Sequence, residues 1–376
     1  MVDLPRLLFD LRPVRPPISG VARYCIHLAV GLAAFRDDFD LLGLYYGNRN
    51  SNEALRRTTE LTFPSVSNVH PKLLNTILEF FPALSGAVVR GKFDLVHETY
   101  FANAYGTKRQ KKVATVHDVI PIERPDFVNP RNRYFSQRNF RRQCREADRI
   151  ICVSEYTKRK VIEYGNARED RITVIPCGVT PVSTVLEEGY LEANGLDKRR
   201  YVLFIGNIEP RKNIGLIYDA LLSMGPSFDD VHLVVAGHLN YQAEPTIARG
   251  RELLGGRFHY LGHVTEAQKW TLMKSANAFV FPSLYEGFGI PIVECYQARC
   301  PVLIADNTAL TELSVDDRQL FDARSSKDAA NRIAELLGQP SWVGQSVERG
   351  AATLGNYDWR NVAHRTVDIY RQALGD

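Results

Sequence analysis

The sequence lacks several features that would place it in well-defined protein classes. No apolar run approaches the ~18 residues needed to cross a bilayer, and the N-terminus lacks the regions of a signal peptide. The six cysteines are scattered without a C-x-x-C pair, which argues against a zinc site or a disulfide scaffold. The net charge of +4 is too small to indicate nucleic acid by itself. We therefore expect a cytoplasmic protein with reduced thiols and no nucleic-acid partner.

The length of the chain predicts more than one hydrophobic core. It has 376 residues, with 45% hydrophobic and 24% charged residues, as in soluble globular proteins. A strand ending in a Pro/Gly break is followed from Thr180 by a polar segment that is typical of a linker. We predict an N-terminal domain over residues 1–180, a second domain over 200–356, and an amphipathic helix over 357–376.

One stretch in the C-terminal third combines a strand, a glycine loop and a helix start. The apolar run Phe279–Phe281 ends at Pro282, which cannot donate to a strand ladder. Gly287 and Gly289 follow in a loop where peptide N–H groups can approach a ligand closely. Pro291 then suits the first position of a helix. This pattern predicts an anion site at a helix N-terminus.

Two carboxylates, Glu286 and Glu294, flank the glycine loop. Both can face the crevice outside the carboxyl end of the strand, where open α/β sheets bind ligands, and there they would bind hydroxyl groups. The alternative is an ordinary helix after a buried strand, with Glu294 stabilising the helix dipole. The spacing alone does not separate these two interpretations.

The segment Tyr285–Glu294 resembles the signature of the retaining nucleotide-sugar glycosyltransferases of family four. The resemblance implies an α/β GT-B fold, with two facing Rossmann-like domains, an interdomain cleft and a C-terminal helix that crosses back to the N-terminal domain. It also implies that Glu286 contacts the hydroxyls of the donor sugar and that Glu294 holds the ribose. The loop residues expected to bind the donor are Gly287, Phe288, Gly289 and Ile290.

The resemblance extends to the loop after the strand Tyr201–Gly206. Lys212 matches a lysine that binds the donor phosphates in the family. Asn207 stands where the family has an arginine, so we expect Arg211 to take over that contact. Val264 matches the neighbour of the nucleotide base.

Two positions in the N-terminal domain complete the expected site. His117 ends the strand Val113–His117, and the resemblance implies that it borders the donor sugar and takes part in catalysis with Glu286 and Lys212. Gly20, in the turn before the first helix, matches a glycine near the leaving diphosphate and the acceptor. Ala22 replaces the second glycine of that family motif.

Two helices raise the question of a membrane. The segment Arg131–Arg149 is rich in arginine, including Arg138, Arg141 and Arg142. Such a run is commonly a solvated face, and the alternative is attraction to anionic lipid or to a pyrophosphate-linked acceptor. Residues 71–90 predict a markedly apolar helix, which either packs in the core or rests on lipid headgroups.

These observations predict a retaining hexosyltransferase that acts on a glycan or lipid-linked saccharide, at the inner face of the cell membrane. Similarity to bacterial mannosyltransferases of surface-polysaccharide assembly favours GDP-mannose as donor, with a UDP-sugar as the alternative. Cations and peptide amides would neutralise the leaving diphosphate, so no metal or cofactor is expected. A nucleotide-sugar epimerase and a non-catalytic sugar-nucleotide-binding subunit are the rival functions.

Overall fold

The computed structural model describes residues 4–14, 18–45, 92–101, 110–180, 186–240 and 242–375, with the single residues 55, 58, 59 and 182. The chain divides into two compact units, one formed by Met1–Gly178 with Tyr357–Asp376 and the other by Val179–Asn356. The apolar helix predicted over residues 71–90 lies outside the described residues.

The first unit is built on a parallel sheet of six strands in the order β2-β1-β3-β4-β5-β6. Its strands are short, mostly buried apolar runs, as expected where helices cover both faces of a parallel sheet. The strands are β1 (Arg6–Asp10), β2 (Asp40–Leu44), β3 (Leu95–Glu98), β4 (Lys111–Val116), β5 (Arg149–Cys152) and β6 (Ile172–Val174). Its helices are α1 (Gly20–Leu32), α2 (Ile120–Glu123), α3 (Pro130–Glu146), α4 (Glu155–Gly165) and the C-terminal α12 (Trp359–Leu374).

The C-terminal helix α12 is part of the core of the first unit, as the sequence predicted for a helix that returns there. A Cβ atom at Gly31 of α1 would lie 2.8 Å from the Cβ of Ala363, so the two helices approach closely where glycine removes a side chain. Farther along α12, the Tyr370 hydroxyl lies 2.7 Å from Nδ1 of the buried His97 in β3. Nε2 of His97 lies 2.8 Å from Oγ1 of Thr115 in β4, so the helix is linked to two strands.

The second unit contains another parallel six-stranded sheet, in the order β12-β11-β10-β7-β8-β9. Its strands are β7 (Arg200–Ile205), β8 (Val231–Ala236), β9 (Phe258–Tyr260), β10 (Ala278–Phe281), β11 (Val302–Ala305) and β12 (Leu320–Phe321). Its helices are α5 (Tyr190–Ala193), α6 (Gly215–Ser223), α7 (Glu244–Leu254), α8 (Glu266–Ser275), α9 (Ile290–Ala298), α10 (Ser326–Gly338) and α11 (Pro340–Ala352). Each unit therefore has helices around a parallel sheet, and the chain as a whole has a two-domain α/β fold.

Local sequence signals set several helix starts. The Ser154 side chain accepts a hydrogen bond from the amide of Thr157 and caps α4. Thr265 caps α8 in a reciprocal capping box with Gln268. All six cysteines are buried and none forms a disulfide, as predicted.

Candidate functional site

The strand order of the second unit creates a crevice at one edge of its sheet. The chain runs from β7 outward through β8 to β9 and then returns to the other side of β7 as β10. The carboxyl ends of β7 and β10 are therefore adjacent, and the loops that follow them diverge. In open α/β sheets such a point of reversal is where ligands bind.

Two cations from the loop after β7 converge on one carboxylate from the loop after β10. Nζ of Lys212 lies 2.6 Å from Oε1 of Glu286, and Nη1 of Arg211 lies 2.8 Å from the same oxygen. Arg211 also pairs with Glu209 at 2.6 Å and donates to the Tyr285 carbonyl at 3.1 Å. The residues that the sequence assigned to the phosphates and to the sugar thus form one ionic cluster at the crevice.

The electrostatics of this cluster keep Glu286 ionised. Burial alone would raise the pKa of Glu286, but the charges of Arg211 and Lys212 outweigh it and lower the pKa to about 2. Burial and the neighbouring Arg211 lower the pKa of Lys212, while Glu286 opposes that change. The crevice therefore contains two closely spaced cationic side chains balanced by the carboxylates of Glu209 and Glu286, and a diphosphate would compete with these carboxylates for the cations.

The glycine loop after β10 has the backbone geometry that its sequence requires. Gly289 has φ 126°, and a Cβ atom there would lie 3.0 Å from methyl carbons of Leu310 and Leu313. Helix α9 begins at the next residue, with Pro291 at its second position instead of the first. Gly289 is thus fixed by conformation and by packing.

A neighbouring loop supports the same segment. The amide of Glu286 donates to Oγ1 of Thr308, at 3.2 Å. Gly287, Phe288 and Gly289 are buried, whereas Glu286 and Ile290 remain partly exposed. The partly exposed residues on either side of the glycines are the ones that a ligand can reach.

Glu294 occupies a second ionic cluster, which the sequence analysis did not find. Nζ of Lys269, on α8, lies 2.6 Å from Oε1 of Glu294 and 2.7 Å from Oε2 of Glu266. The side chains of Lys269 and Glu294 are 5% and 7% exposed, so this pair is buried. The signal in the sequence was weak: Lys269 begins the buried run that ends at Met273, where a charged residue is unusual.

Val264, the predicted neighbour of a nucleotide base, is partly exposed and directly precedes the Thr265 cap of α8. It lies after β9, on the side of the sheet away from β10. It is therefore at the carboxyl edge that also bears Lys212 and Glu286.

In the first unit, His117 follows β4 and its ring is held on two sides. Because the Thr99 carbonyl oxygen can only accept, Nε2 of His117 carries the proton in their 2.9 Å hydrogen bond. The ring packs edge-on against Tyr24 at 4.7 Å between centroids. Burial lowers the pKa of His117 to about 4, although the bond to Thr99 opposes it. At neutral pH the imidazole is therefore uncharged, and Nδ1 is its acceptor nitrogen.

Gly20 is the first residue of α1, and the preceding Ser19 caps the helix by accepting from the amide of Ala22 at 3.2 Å. Apart from its chain neighbours and the backbone of α1, no atom of the described residues lies within 4 Å of the position of a Cβ at Gly20. The space next to this residue is open, so Gly20 is not fixed by contacts within the protein.

The three arginines predicted to form a cationic surface on α3 have different environments. Arg142 makes a bidentate pair with the buried Glu98, at 3.0 and 2.8 Å, and Gln143 donates to the same carboxylate at 2.9 Å. Its guanidinium therefore holds β3 to α3, which the sequence analysis did not foresee. Arg141 is exposed and Arg138 is partly exposed.

Within the described ranges, no group of three His, Cys, Asp or Glu side chains is placed to hold a metal ion. Asp38 and Asp40 have the D-x-D spacing, but Asp40 pairs with Arg6 at 2.9 Å and Asp38 with Arg371 at 3.4 Å, at the amino-terminal end of β2. Among the helices of the described residues, none combines the length and apolar character that a membrane crossing requires.

Two family models match consecutive parts of the chain, Glycosyltransferase Family 4 over residues 18–182 and Glycosyl transferases group 1 over residues 188–349. O-antigen chain mannosyltransferase B of Escherichia coli is 26% identical over 393 aligned positions, which cover 97% of this chain and 99% of that protein. A phosphatidyl-myo-inositol mannosyltransferase of Mycobacterium leprae is 32% identical over 45% of this chain and 46% of its own length. Among solved structures, Anabaena HepE in complex with UDP and glucose superposes with a TM-score of 0.72 at 17% identity, covering 98% of this chain and 99% of that one. The chain is therefore a glycosyltransferase similar to those of family 4, with the two-domain α/β architecture called GT-B.

Proposed function

We propose that the protein transfers a mannosyl residue from GDP-mannose to a saccharide or lipid-linked acceptor, with retention of the anomeric configuration and without a metal ion. The observation that carries this proposal is the convergence of Arg211 and Lys212 on Glu286 at the crevice between β7 and β10. Mannose as the transferred sugar is supported by the names of the relatives that match along the chain.

The first step of the argument concerns the leaving group. Breaking the bond between sugar and diphosphate develops negative charge on a phosphate oxygen, and fixed cations lower the energy of that state. Lys212 is 7% exposed, so water screens its charge poorly. Arg211 adds a planar set of donors beside it, and the N-terminus of α9 adds amide groups. This set supplies the electrostatic work that a divalent cation performs in other transferases.

The second step concerns the sugar and the ribose. Glu286 is ionised because of its two cationic neighbours, and an ionised carboxylate accepts hydrogen bonds from vicinal hydroxyl groups. Glu294, held by Lys269, supplies a second carboxylate on the adjoining helix. We assign Glu286 to the sugar and Glu294 to the ribose.

The third step concerns stereochemistry. Retention through a covalent intermediate needs a carboxylate nucleophile and a separate acid beside the anomeric carbon. Glu286 already faces Arg211 and Lys212, which favours a role in holding charge and hydroxyls over a role as nucleophile. We therefore propose front-face attack, in which the acceptor enters on the side that the diphosphate leaves. The neutral His117 would accept a hydrogen bond from a sugar hydroxyl through Nδ1.

The fourth step concerns the acceptor. Arg138 and Arg141 on α3, together with the 62% exposed Tyr134, form a face with cations beside an aromatic ring. Lysine, arginine and tyrosine side chains of this kind favour the headgroup layer of an anionic membrane. We propose that this face brings the protein to a membrane that contains a lipid-linked acceptor.

The donor is tested by incubating the purified protein with GDP-mannose, UDP-glucose or UDP-galactose, with and without a synthetic lipid-linked saccharide that ends in mannose. We expect GDP release that depends on the acceptor, unchanged by EDTA, and an α-linked product by NMR. Lys212→Met removes the buried cation and should lower the rate at least ~100-fold, since such groups contribute a few kcal/mol. Lys198→Met, at a 91% exposed lysine, is the matched control and should leave the rate unchanged.

Several outcomes would contradict the proposal. Acceptor-dependent release of UDP alone would show that the donor is a UDP-sugar and not GDP-mannose. An isomerised sugar nucleotide would indicate an epimerase, and binding without turnover would indicate a non-catalytic subunit.

For the membrane face, sedimentation with phosphatidylglycerol vesicles should be lost in the Arg138→Glu/Arg141→Glu variant and kept in Lys198→Glu. Equal sedimentation of both variants would exclude this face as the contact.

A further inference from the structure

Two strands of the second unit end in the same dipeptide, and their histidine rings stack on each other. β8 is followed by Gly237-His238, and β9 is followed, after Leu261, by Gly262-His263. The imidazole rings of His238 and His263 are stacked, with 4.2 Å between centroids and an angle of 14° between planes. His263 is exposed and His238 is partly exposed, so solvent and ligands can reach this histidine stack.

The backbone before each histidine fixes where its ring lies. Gly237 has φ 142°, and a Cβ atom there would lie 1.8 Å from the carbonyl oxygen of Gly206, so no other residue fits. Gly262 has φ 66°, a region that also favours glycine. The amide of Gly237 donates to the Gly262 carbonyl at 2.7 Å, which ties the two turns together. The fold therefore places the two histidines directly after turns that are hydrogen-bonded to each other.

The histidine stack also lies at a definite distance from the proposed diphosphate site. β8 is the neighbour of β7 and β9 is the next strand out. With about 4.8 Å between strands, their ends lie roughly 5 and 10 Å from the end of β7, on the side away from β10. Helix α8 begins three residues after His263 and carries Lys269, which pairs with Glu294. The turn that carries His263 therefore leads into the helix whose lysine pairs with Glu294, the proposed ligand of the ribose.

We propose that the histidine stack of His238 and His263 is the platform on which the nucleobase of the donor lies, and that it favours a purine. This inference rests on the proposed function, because it takes the diphosphate to bind at Lys212 and Arg211. The exposed face of His263 meets the base and His238 supports that ring from behind. A purine covers more of an imidazole face than a pyrimidine does, so the stacking gain is larger for GDP than for UDP.

The test compares binding of GDP, UDP and inorganic pyrophosphate to the purified full chain by titration calorimetry. Stacking of a base on an aromatic side chain predicts a roughly 5- to 100-fold loss of GDP affinity in His263→Ala, and a smaller loss for UDP. Pyrophosphate has no base, so its affinity should change by less than about twofold. His263→Phe keeps a flat ring and should restore GDP binding.

The matched control lies next to His238. Leu239 is 44% exposed, and because it forms a bridge with Ile208 in extended backbone, its side chain points to the opposite face from that of His238. Leu239→Ala should bind GDP like the unchanged protein, whereas His238→Ala should bind it more weakly.

Two results would overturn the inference while leaving the proposed function in place: normal GDP affinity in His263→Ala, or an equal loss of GDP and pyrophosphate affinity, which would indicate a distorted loop. Failure of the unchanged protein to bind any nucleoside diphosphate would instead overturn the proposed function itself. The two failures are therefore distinguishable in a single series of titrations.

Discussion

Replacing Glu286 by glutamine should lower the stability of the protein without ligand and strengthen its binding of pyrophosphate. In the ligand-free protein Glu286 lies within 2.8 Å of both Arg211 and Lys212, so it occupies the charges that a diphosphate needs. Glu286→Gln keeps the shape of the side chain and removes its charge. The phosphate groups then compete with Glu209 for Arg211 but no longer with Glu286 for Arg211 and Lys212.

The magnitude follows from the pKa of Glu286. A fall from 4.5 to about 2 corresponds to about 3 kcal/mol of interaction between the carboxylate and its cations, at ~1.36 kcal/mol per pKa unit. Because the pKa is lowered on folding, this stability is present above pH ~4.5 and is lost as the pH falls toward 2. At pH 7.5, Glu286→Gln should therefore destabilise the second unit by up to about 3 kcal/mol, or roughly 6–12 °C in Tm.

The assay is thermal unfolding with and without pyrophosphate at low salt. The same interaction energy opposes anion binding, so we expect pyrophosphate to bind Glu286→Gln at least ~10-fold more tightly than the unchanged protein, with a larger upward shift in Tm. Transfer from GDP-mannose should nevertheless fall, because the sugar loses its carboxylate acceptor.

The control is Asp219→Asn, which removes an exposed partner of Arg249 in the same unit. It should change the stability by less than about 1 kcal/mol and leave pyrophosphate binding unaltered. If Glu286→Gln bound pyrophosphate no more tightly than the unchanged protein, the anion would not be using these two cations, and the assignment of the diphosphate site would be wrong.

Two further predictions concern stability. A Cβ atom at Gly350 would lie 2.1 Å from the Tyr296 ring, so Gly350→Ala should destabilise the second unit by about 1–3 kcal/mol. Gly344 lies in open space on the same helix α11, and Gly344→Ala should stabilise the unit by up to about 1 kcal/mol. Equal effects of the two variants in chemical denaturation would refute the packing argument. Burial, with a smaller effect of the nearby His117, lowers the pKa of His97 from 6.5 to about 3, so the contribution of the neutral ring to the free energy of unfolding is complete above pH ~6.5 and is lost as the pH falls toward 3, by about 2 kcal/mol at pH 5. The decrease in the free energy of unfolding between pH 7.5 and 5 should therefore be smaller by that amount in His97→Gln. An unchanged decrease would show that His97 does not take up a proton on unfolding.

The fold was largely predictable because its signals are local. Short apolar runs between turn residues predicted β7 and β10. The position of the glycine loop was predictable for the same reason, since φ 126° at Gly289 is a property of one residue. Contacts between side chains were harder to predict from the sequence. Lys212 and Glu286 are 74 residues apart, and their contact depends on the order of strands in the sheet.

Arg142 shows where a pattern of charge gives an incomplete prediction. The sequence pattern groups Arg142 with the exposed arginines of α3, because helical periodicity does not reveal the strand against which a helix packs. In the structure the guanidinium meets Glu98, which is 3% exposed in β3. A buried carboxylate requires a cationic partner, and Arg142 supplies it with a side chain that is mostly buried. A buried acid in a neighbouring strand thus reduces the cationic face of the helix.

For Glu294 the structure argues against one of the two interpretations that the sequence left open. A carboxylate that stabilises the helix dipole acts from the first turn, usually at the surface. Glu294 is the fifth residue of α9, is buried, and is held at 2.6 Å by Lys269 from another helix. Dehydrating two charges costs several kcal/mol, and a hydrophobic pair of similar volume would commonly stabilise the fold as well. The dipole therefore does not account for this acid. The proposed role of Glu294 as a ligand of the ribose would account for a carboxylate held in this position by Lys269, and that role stays a prediction.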